Sequence, residues 1–372
     1  RDEDLRADRQ PEFTQIDLEM SFVDTDDIME MAEGFITKLM RETVNVDIPM
    51  PLPRMTFAEA MEKYGSDKPD TRFDMLINDI TDWADKTDFI VFKNAIADGG
   101  TVKAIVAKNS AAAYTRKKID KLTEHAKGIG AKGLAYIRWA DAEPTCSFNK
   151  FLKDGELQAL IEELGAEQGD CVFIISDKTS SALSILGSLR LVIAKELGII
   201  PEGKWNYLWI TEMPFFEQDE ETGEWVAMHH PFTMPMEECI EYLDTDKGKV
   251  RAKAFDLVLN GTELSSGSMR ITDCQLQNKM FELLGMEQDE IDAKFGFLVE
   301  AYHYASPPHG GMGIGLDRLA MIICGADSLR DVTAFPKVQN ASELMSGAPS
   351  YIDDIQLDEL GINIAKAEAD NE

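Results

Sequence analysis

Lys253-Ala254-Phe255-Asp256-Leu257-Val258-Leu259-Asn260-Gly261-Thr262-Glu263 alternates into an Asn-Gly pair. That pair is the strongest short signal for a two-residue hairpin turn, because both central residues of such a turn need positive φ. A turn at Asn260-Gly261 sets Leu259 opposite Thr262 and Val258 opposite Glu263. Asp256, two residues before Val258, becomes the diagonal neighbour of Glu263 on the same face, within roughly 7–8 Å. Carboxylates this close repel one another unless a cation or hydrogen-bond donors intervene. A hard, oxygen-ligated ion such as Mg²⁺, held also by phosphates, answers that need. A solvated pair of acids is the plain alternative, and spacing alone leaves both open.

Arg270 follows Ser265-Ser266-Gly267-Ser268, a stretch poor in bulky groups that lets a ligand approach the backbone. An arginine beside such a floor suits a carboxylate, because its planar fork pairs bidentately with two oxygens; a surface ion pair explains it equally well. His229-His230 precedes Pro231-Phe232-Thr233 with no third ligand at zinc-like spacing. Gly311-Met312-Gly313-Ile314-Gly315-Leu316 reads as a glycine-rich strand turning into a helix over 319–324, stopped by Gly325. Leu316 stands where a dinucleotide fingerprint needs its last glycine. Arg318 falls in the first helical turn, where the macrodipole disfavours a cation unless an anion binds too.

At the N-terminal end, residues 13–22 have period two. Ile16, Leu18, Met20 and Phe22 share one face of a strand and Gln15, Asp17 and Glu19 the other. Thr25-Asp26-Asp27 caps a helix, and Thr56-Phe57-Ala58-Glu59 has the form of a capping box with Gly65 as the stop. Beyond Pro69 the pattern predicts a hairpin of strands 89–96 and 101–107 across Asp98-Gly99-Gly100. A basic helix 110–127, strand 133–139, helix 155–164, strand 171–176 and helix 180–197 follow. Together they make an α+β unit whose borders near Pro69 and Pro201 mark an insertion into a discontinuous host.

The 372 residues leave ample length for a large core and a prior of two or three domains. No apolar run reaches the ~18 residues of a membrane span; Arg190, Lys195 and Glu196 interrupt the greasiest stretch, and no basic-then-apolar leader opens the chain. Five cysteines, odd in number and without a C-x-x-C pair, read as reduced thiols of a cytoplasmic protein. A formal charge of −31, from 68 acids and 37 bases, argues against nucleic acid. Screening over about 8 Å limits that argument to the local surface, where Arg6 and Arg9, or Arg116, Lys117, Lys118 and Lys121, supply a basic rim.

Four segments in this order resemble the class II aminoacyl-tRNA synthetases of the bacterial aspartyl type. They are the opening Arg1-Asp2-Glu3-Asp4-Leu5-Arg6-Ala7-Asp8-Arg9-Gln10-Pro11-Glu12-Phe13-Thr14-Gln15-Ile16-Asp17-Leu18-Glu19 (motif 2), residues 229–233, residues 256–270, and residues 311–318 (motif 3) with Asp331-Val332-Thr333-Ala334-Phe335-Pro336-Lys337. The resemblance implies an α+β fold with an antiparallel-sheet catalytic domain interrupted by an inserted α+β domain. Its divisions are 1–69 with motif 2, a GAD-like insertion over 70–202, 203–345 with motif 3, and a C-terminal extension over 346–372. It implies ATP as a substrate with Mg²⁺ on Asp256 and Glu263. Arg1 lies on the α-phosphate and Arg318 on the γ-phosphate as the catalytic pair, and Asp2, Glu3, Gln10, Gly315, Leu316 and Asp317 help to seat the nucleotide. Arg1, Gln15, Asp17, His229 and Arg270 face the aspartate, with Arg270 on its side-chain carboxylate and Asp17 suited to its ammonium.

The reaction implied needs no dedicated base. The ionised aspartate α-carboxylate attacks the α-phosphate in line, and the 3′ end of tRNA(Asp) takes the aspartyl group from the adenylate. Use of tRNA(Asn) stays open, and a homodimer without membrane attachment is expected. The anticodon-reading barrel and motif 1 of the family would lie upstream of Arg1. An inactive fragment or amino-acid- and ATP-binding paralogue therefore stands beside an asparaginyl-type relative as the alternative.

Overall fold

The computed structural model describes residues 7–219, 222–338 and 340–364, so Arg1, Asp2, Glu3 and Arg6 lie outside the described residues. Two compact units divide the chain: residues 17–313, and the described residues up to Ile16 together with those from Ile314 onward.

In the large unit the Asn-Gly hairpin is the middle of a six-stranded sheet. The strand order runs Gln15–Ser21, His309–Gly315, Thr262–Met269, Arg251–Leu259, Tyr207–Pro214, Arg54–Thr56. Tyr207–Pro214 pairs antiparallel with Arg251–Leu259 and parallel with the short edge strand Arg54–Thr56. Residues 254–259 are buried throughout, as befits a central strand covered on both faces. Gly267 and Gly311 allow close backbone approach here: a Cβ on Gly267 would lie 2.7 Å from the Gly311 carbonyl oxygen, and one on Gly311 2.1 Å from that of Leu18.

The alternation of the first strand holds from Gln15 to Ser21, with Ile16, Leu18 and Met20 on its more buried side. Phe22 departs from that face. Its φ of +61° ends the strand and leaves the ring 81% exposed. The following helix, Thr25–Val44, takes its cap one residue earlier than expected, from Asp24, with Asp27 bonding back to the cap. The Thr56/Glu59 capping box of helix Phe57–Tyr64 and its left-handed stop at Gly65 form as expected.

A second, five-stranded sheet has the order Ile77–Asp79, Thr101–Ala107, Cys171–Asp177, Ala135–Arg138, Thr145–Cys146, with every pair antiparallel. Its two faces carry separate cores. Ile105, Phe173 and Ile175 point toward helices Arg116–Gly128 and Thr179–Leu197, and Val102, Ala104, Val172 and Ile174 toward Trp83, Phe92 and Phe148.

The expected strand 89–96 is instead helix Ile90–Ala97. Phe89, Phe92 and Ile96 recur at helical spacing and pack on the second core, whereas the β-branched Ile90 and Val91 face water. Burial of one helical stripe overrides their strand propensity. The basic helix starts at Arg116 and not at Ser110, because 110–115 is a turn that buries Ser110, Ala111 and Tyr114 and docks on the Gly169 carbonyl through Ala111 N.

In the small unit, helix Leu316–Cys324 begins three residues before the expected start and stops at Gly325, φ +66°. A 3-10 turn, Leu329–Asp331, follows, with Leu329 N donating to Ala7 O at 2.9 Å. All five cysteines are free thiols. Among the described residues no helix is long and apolar enough to cross a membrane.

Candidate functional site

The hairpin turns on Asn260 (φ +52°) and Gly261 (φ +86°), with Leu259 facing Thr262 and Val258 facing Glu263, the expected register. One residue further a bulge shifts the pairing, so that Leu257 faces Ser265 and Asp256 faces Ser266. The bulge replaces the simple diagonal between Asp256 and Glu263, yet the two charges still meet. Asp256 is 5% exposed, and its carboxyl is pushed up to about 7, first by burial and then by repulsion from Glu263, with a Ser266 hydrogen bond opposing. Its Oδ1 has no hydrogen-bond partner.

Two residues not foreseen in the sequence join this pair. Lys68 Nζ lies 3.9 Å from Glu263 Oε2 and 3.7 Å from Asp67 Oδ1. Their only signal was a charged Asp-Lys after the helix stop at Gly65. A buried carboxylate oxygen without a partner, beside a second acid, fits a hard divalent cation. Among the described residues no group of three or more His, Cys, Asp or Glu forms a metal cage; a pair of carboxylates is the number that Mg²⁺ commonly takes, its shell completed by phosphates and water.

At the end of the same hairpin, Arg270 grips a carboxylate in the fork geometry its surroundings suggested, that of Glu19. Nε donates to Oε1 and Nη2 to Oε2, each at 3.0 Å. Nη1 donates to His230 Nε2 at 2.8 Å and to Ser268 Oγ. His230 must therefore be neutral with Nε2 unprotonated, which puts its proton on Nδ1, 3.4 Å from Thr233 Oγ1. Burial, the Arg270 charge and then His229 lower its pKa to about 4. His230, which the sequence reading left without a role, thus belongs to the arginine cluster. The His229 ring is lowered by burial alone and keeps a buried Nε2 without a partner. Gln15 and Asp17 lie on the exposed side of their strand.

In the small unit Gly315 caps the helix that carries Leu316, Asp317 and Arg318. Thr14 fastens its start, donating from N to Asp317 Oδ2 at 2.7 Å and accepting from Leu316 N at 3.0 Å. Arg318 occupies the first turn and donates from Nε to Asp8 O at 3.2 Å. Gln10 is buried, with its amide paired to the Lys337 backbone: Oε1 accepts from Lys337 N at 2.8 Å and Nε2 donates to Lys337 O at 3.3 Å. That places it as a clamp on the Phe335-Pro336-Lys337 segment.

Residues 1–339 match the sequence profile of the tRNA synthetases class II (D, K and N). The chain belongs to this family and has its α+β, antiparallel-rich fold. It is 52% identical over 367 residues to the aspartate–tRNA ligase of Ruminiclostridium cellulolyticum, covering 98% of this chain and 62% of that protein. It is 51% identical over 367 residues to the aspartate–tRNA(Asp/Asn) ligase of Lachnoclostridium phytofermentans, covering 98% and 61% respectively. The chain thus spans a little over three-fifths of the length of these relatives. Among solved structures, the asparaginyl-tRNA synthetase of Entamoeba histolytica in complex with asparaginyl-adenylate matches 92% of this chain and 51% of its own, at 14% identity and a TM-score of 0.43.

Proposed function

We propose that this chain carries the catalytic chemistry of an aspartate–tRNA ligase, activating L-aspartate with ATP and passing the aspartyl group to the 3′ end of tRNA(Asp). One observation carries the reading. A single hairpin supplies the Asp256/Glu263 pair and, at its end, an arginine whose fork already holds a carboxylate. Arg270 would take the side-chain carboxylate of aspartate, which asparagine lacks, while His230 and Ser268 hold the guanidinium in plane. Asp17 would face the substrate ammonium, Gln15 and His229 its other polar groups. Glu263 and Asp256 would hold Mg²⁺, which neutralises phosphate charge when bound. Arg318, with Gly315, Leu316 and Asp317, would serve the nucleotide phosphates from a helix start.

In the same reading residues 70–202 form an inserted domain between catalytic segments 1–69 and 203–345, with 346–372 as a C-terminal extension. The exposed Arg116, Lys117, Lys118 and Lys121 of helix Arg116–Gly128 give the polyanionic tRNA a local basic surface despite the acidic whole. The name of the Lachnoclostridium relative favours tRNA(Asn) as a second acceptor. A cytoplasmic homodimer completes the proposal.

The test is pyrophosphate–ATP exchange with Mg²⁺, run with aspartate and separately with asparagine. Exchange driven by aspartate is expected. Exchange driven by asparagine would establish the asparaginyl-type reading, and exchange with neither amino acid would overturn the activity.

A further inference from the structure

The Asn260-Gly261 turn, which sets Asp256 and Glu263, is clasped on two sides. Asn260 N donates to Asn206 O at 3.3 Å, its Oδ1 accepts from Asn206 N at 2.9 Å, and its Nδ2 donates to Lys204 O at 2.8 Å. Gly261 abuts Asp70 so closely that an added Cβ would lie 3.2 Å from the Asp70 Cβ. Asn206 also reaches away from the turn, donating from Nδ2 to Thr71 O at 3.0 Å. Both clasps therefore bear on the segment that leads into the five-stranded sheet.

That segment is itself anchored on one residue. Arg190 of helix Thr179–Leu197 is 1% exposed. Its Nη2 donates to Asp70 O at 2.9 Å and Phe73 O at 2.8 Å, and its Nε to Met75 O at 3.0 Å. The guanidinium lies 4.0 Å over the Phe73 ring and 4.8 Å from the Tyr64 ring. The Asp70 carboxylate is hydrogen-bonded by Arg72, and Arg190 donates instead to main-chain carbonyls and lies over aromatic faces. A buried cation is costly. Its role here is to hold three carbonyls that no apolar side chain could satisfy.

We infer that Arg190 and Asn206 are positioning residues through which the five-stranded-sheet unit sets the turn between Asp256 and Glu263, and with it the divalent-cation pair. The inference rests on the proposed role of that pair, but its mechanical part does not. Contact runs unbroken from Arg190 through residues 70–73 to Gly261, and from Thr71 through Asn206 to Asn260.

The experiment compares wild type with Asn206→Ala, a half-buried loop change that spares the core, and with Arg190→Lys, which keeps the charge but loses the fork. Binding of Mg²⁺ with ATP and binding of aspartate are measured by calorimetry, and exchange of the 260–263 amides by NMR or mass spectrometry. In Asn206→Ala, Mg²⁺-dependent ATP binding is expected to weaken about tenfold while aspartate binding stays within about twofold. Amide exchange across the turn should quicken in both variants, with a less than additive effect in the double variant. Unchanged exchange and nucleotide binding in folded Asn206→Ala would overturn the inference. If wild type binds no ATP with Mg²⁺, the proposed function falls; exchange then decides the mechanical claim, faster in the variants upholding it and unchanged refuting it.

Discussion

Arg270 and Glu19, 251 residues apart in sequence, form two parallel hydrogen bonds of 3.0 Å. The guanidinium side chain is 19% exposed and the carboxylate 47%, so the pair sits at the edge of solvent with the arginine as its fixed member. Arg270→Leu is expected to raise the aspartate KM about 100-fold, with a much smaller effect on that for ATP. Equal effects on both substrates, in steady-state exchange kinetics, would show that Arg270 does not read the amino acid.

Glu19→Gln keeps the shape and removes the charge. Because Glu19 is half exposed, the stability cost should stay below about 1 kcal/mol. The aspartate KM should nonetheless fall roughly tenfold, because the substrate carboxylate no longer has to displace a charge-assisted partner from the fork. Thermal denaturation and exchange kinetics on the same sample separate the two effects.

The acidic pair makes cation binding depend on pH. The carboxyl of Asp256, pushed up to about 7, must ionise to ligate, so Mg²⁺ affinity should climb as pH rises from 6 to 8. Without a cation the sign reverses. The folded value exceeds the unfolded one of 3.8, so this group's contribution to stability is full below 3.8 and lost as pH rises through about 7. Chelating the cation at pH 8 should therefore lower Tm. Glu263→Gln should abolish Mg²⁺-dependent ATP binding, and titration calorimetry at three pH values would expose any failure of either claim.

His230 works in the opposite direction. Its folded pKa of about 4 lies below the unfolded 6.5, so the neutral ring's contribution is present above 6.5 and disappears as pH falls through 4. Denaturant midpoints should drop across that window. His230→Asn should flatten part of the slope, and a slope identical to wild type would remove His230 from the account.

Gly65 and Gly187 bring helix Phe57–Tyr64 against helix Thr179–Leu197. A Cβ on Gly187 would meet the Gly65 carbonyl oxygen at 2.4 Å, and one on Gly65 the Leu183 carbonyl oxygen at 2.1 Å. Gly187→Ala improves helix propensity, yet it is expected to destabilise by about 1–3 kcal/mol through overpacking. A raised Tm would mean that the two helices do not touch as described.

The chain's local chemistry was enough to place the Asn260-Gly261 turn and its first two cross-strand pairs, the Thr56/Glu59 capping box with its Gly65 stop, and Arg318 in a first helical turn. Each depends on φ preferences and hydrogen bonds made within a few residues. Tertiary packing alone decided that residues 90–97 coil into a helix, because one apolar stripe found a core while two β-branched residues stayed wet. It also slipped the register beyond Val258, put His230 beside Arg270, and brought Lys68 to Glu263. Those outcomes turn on burial and on charges meeting from distant parts of the chain, where desolvation and Coulomb energy outweigh any preference a short segment carries.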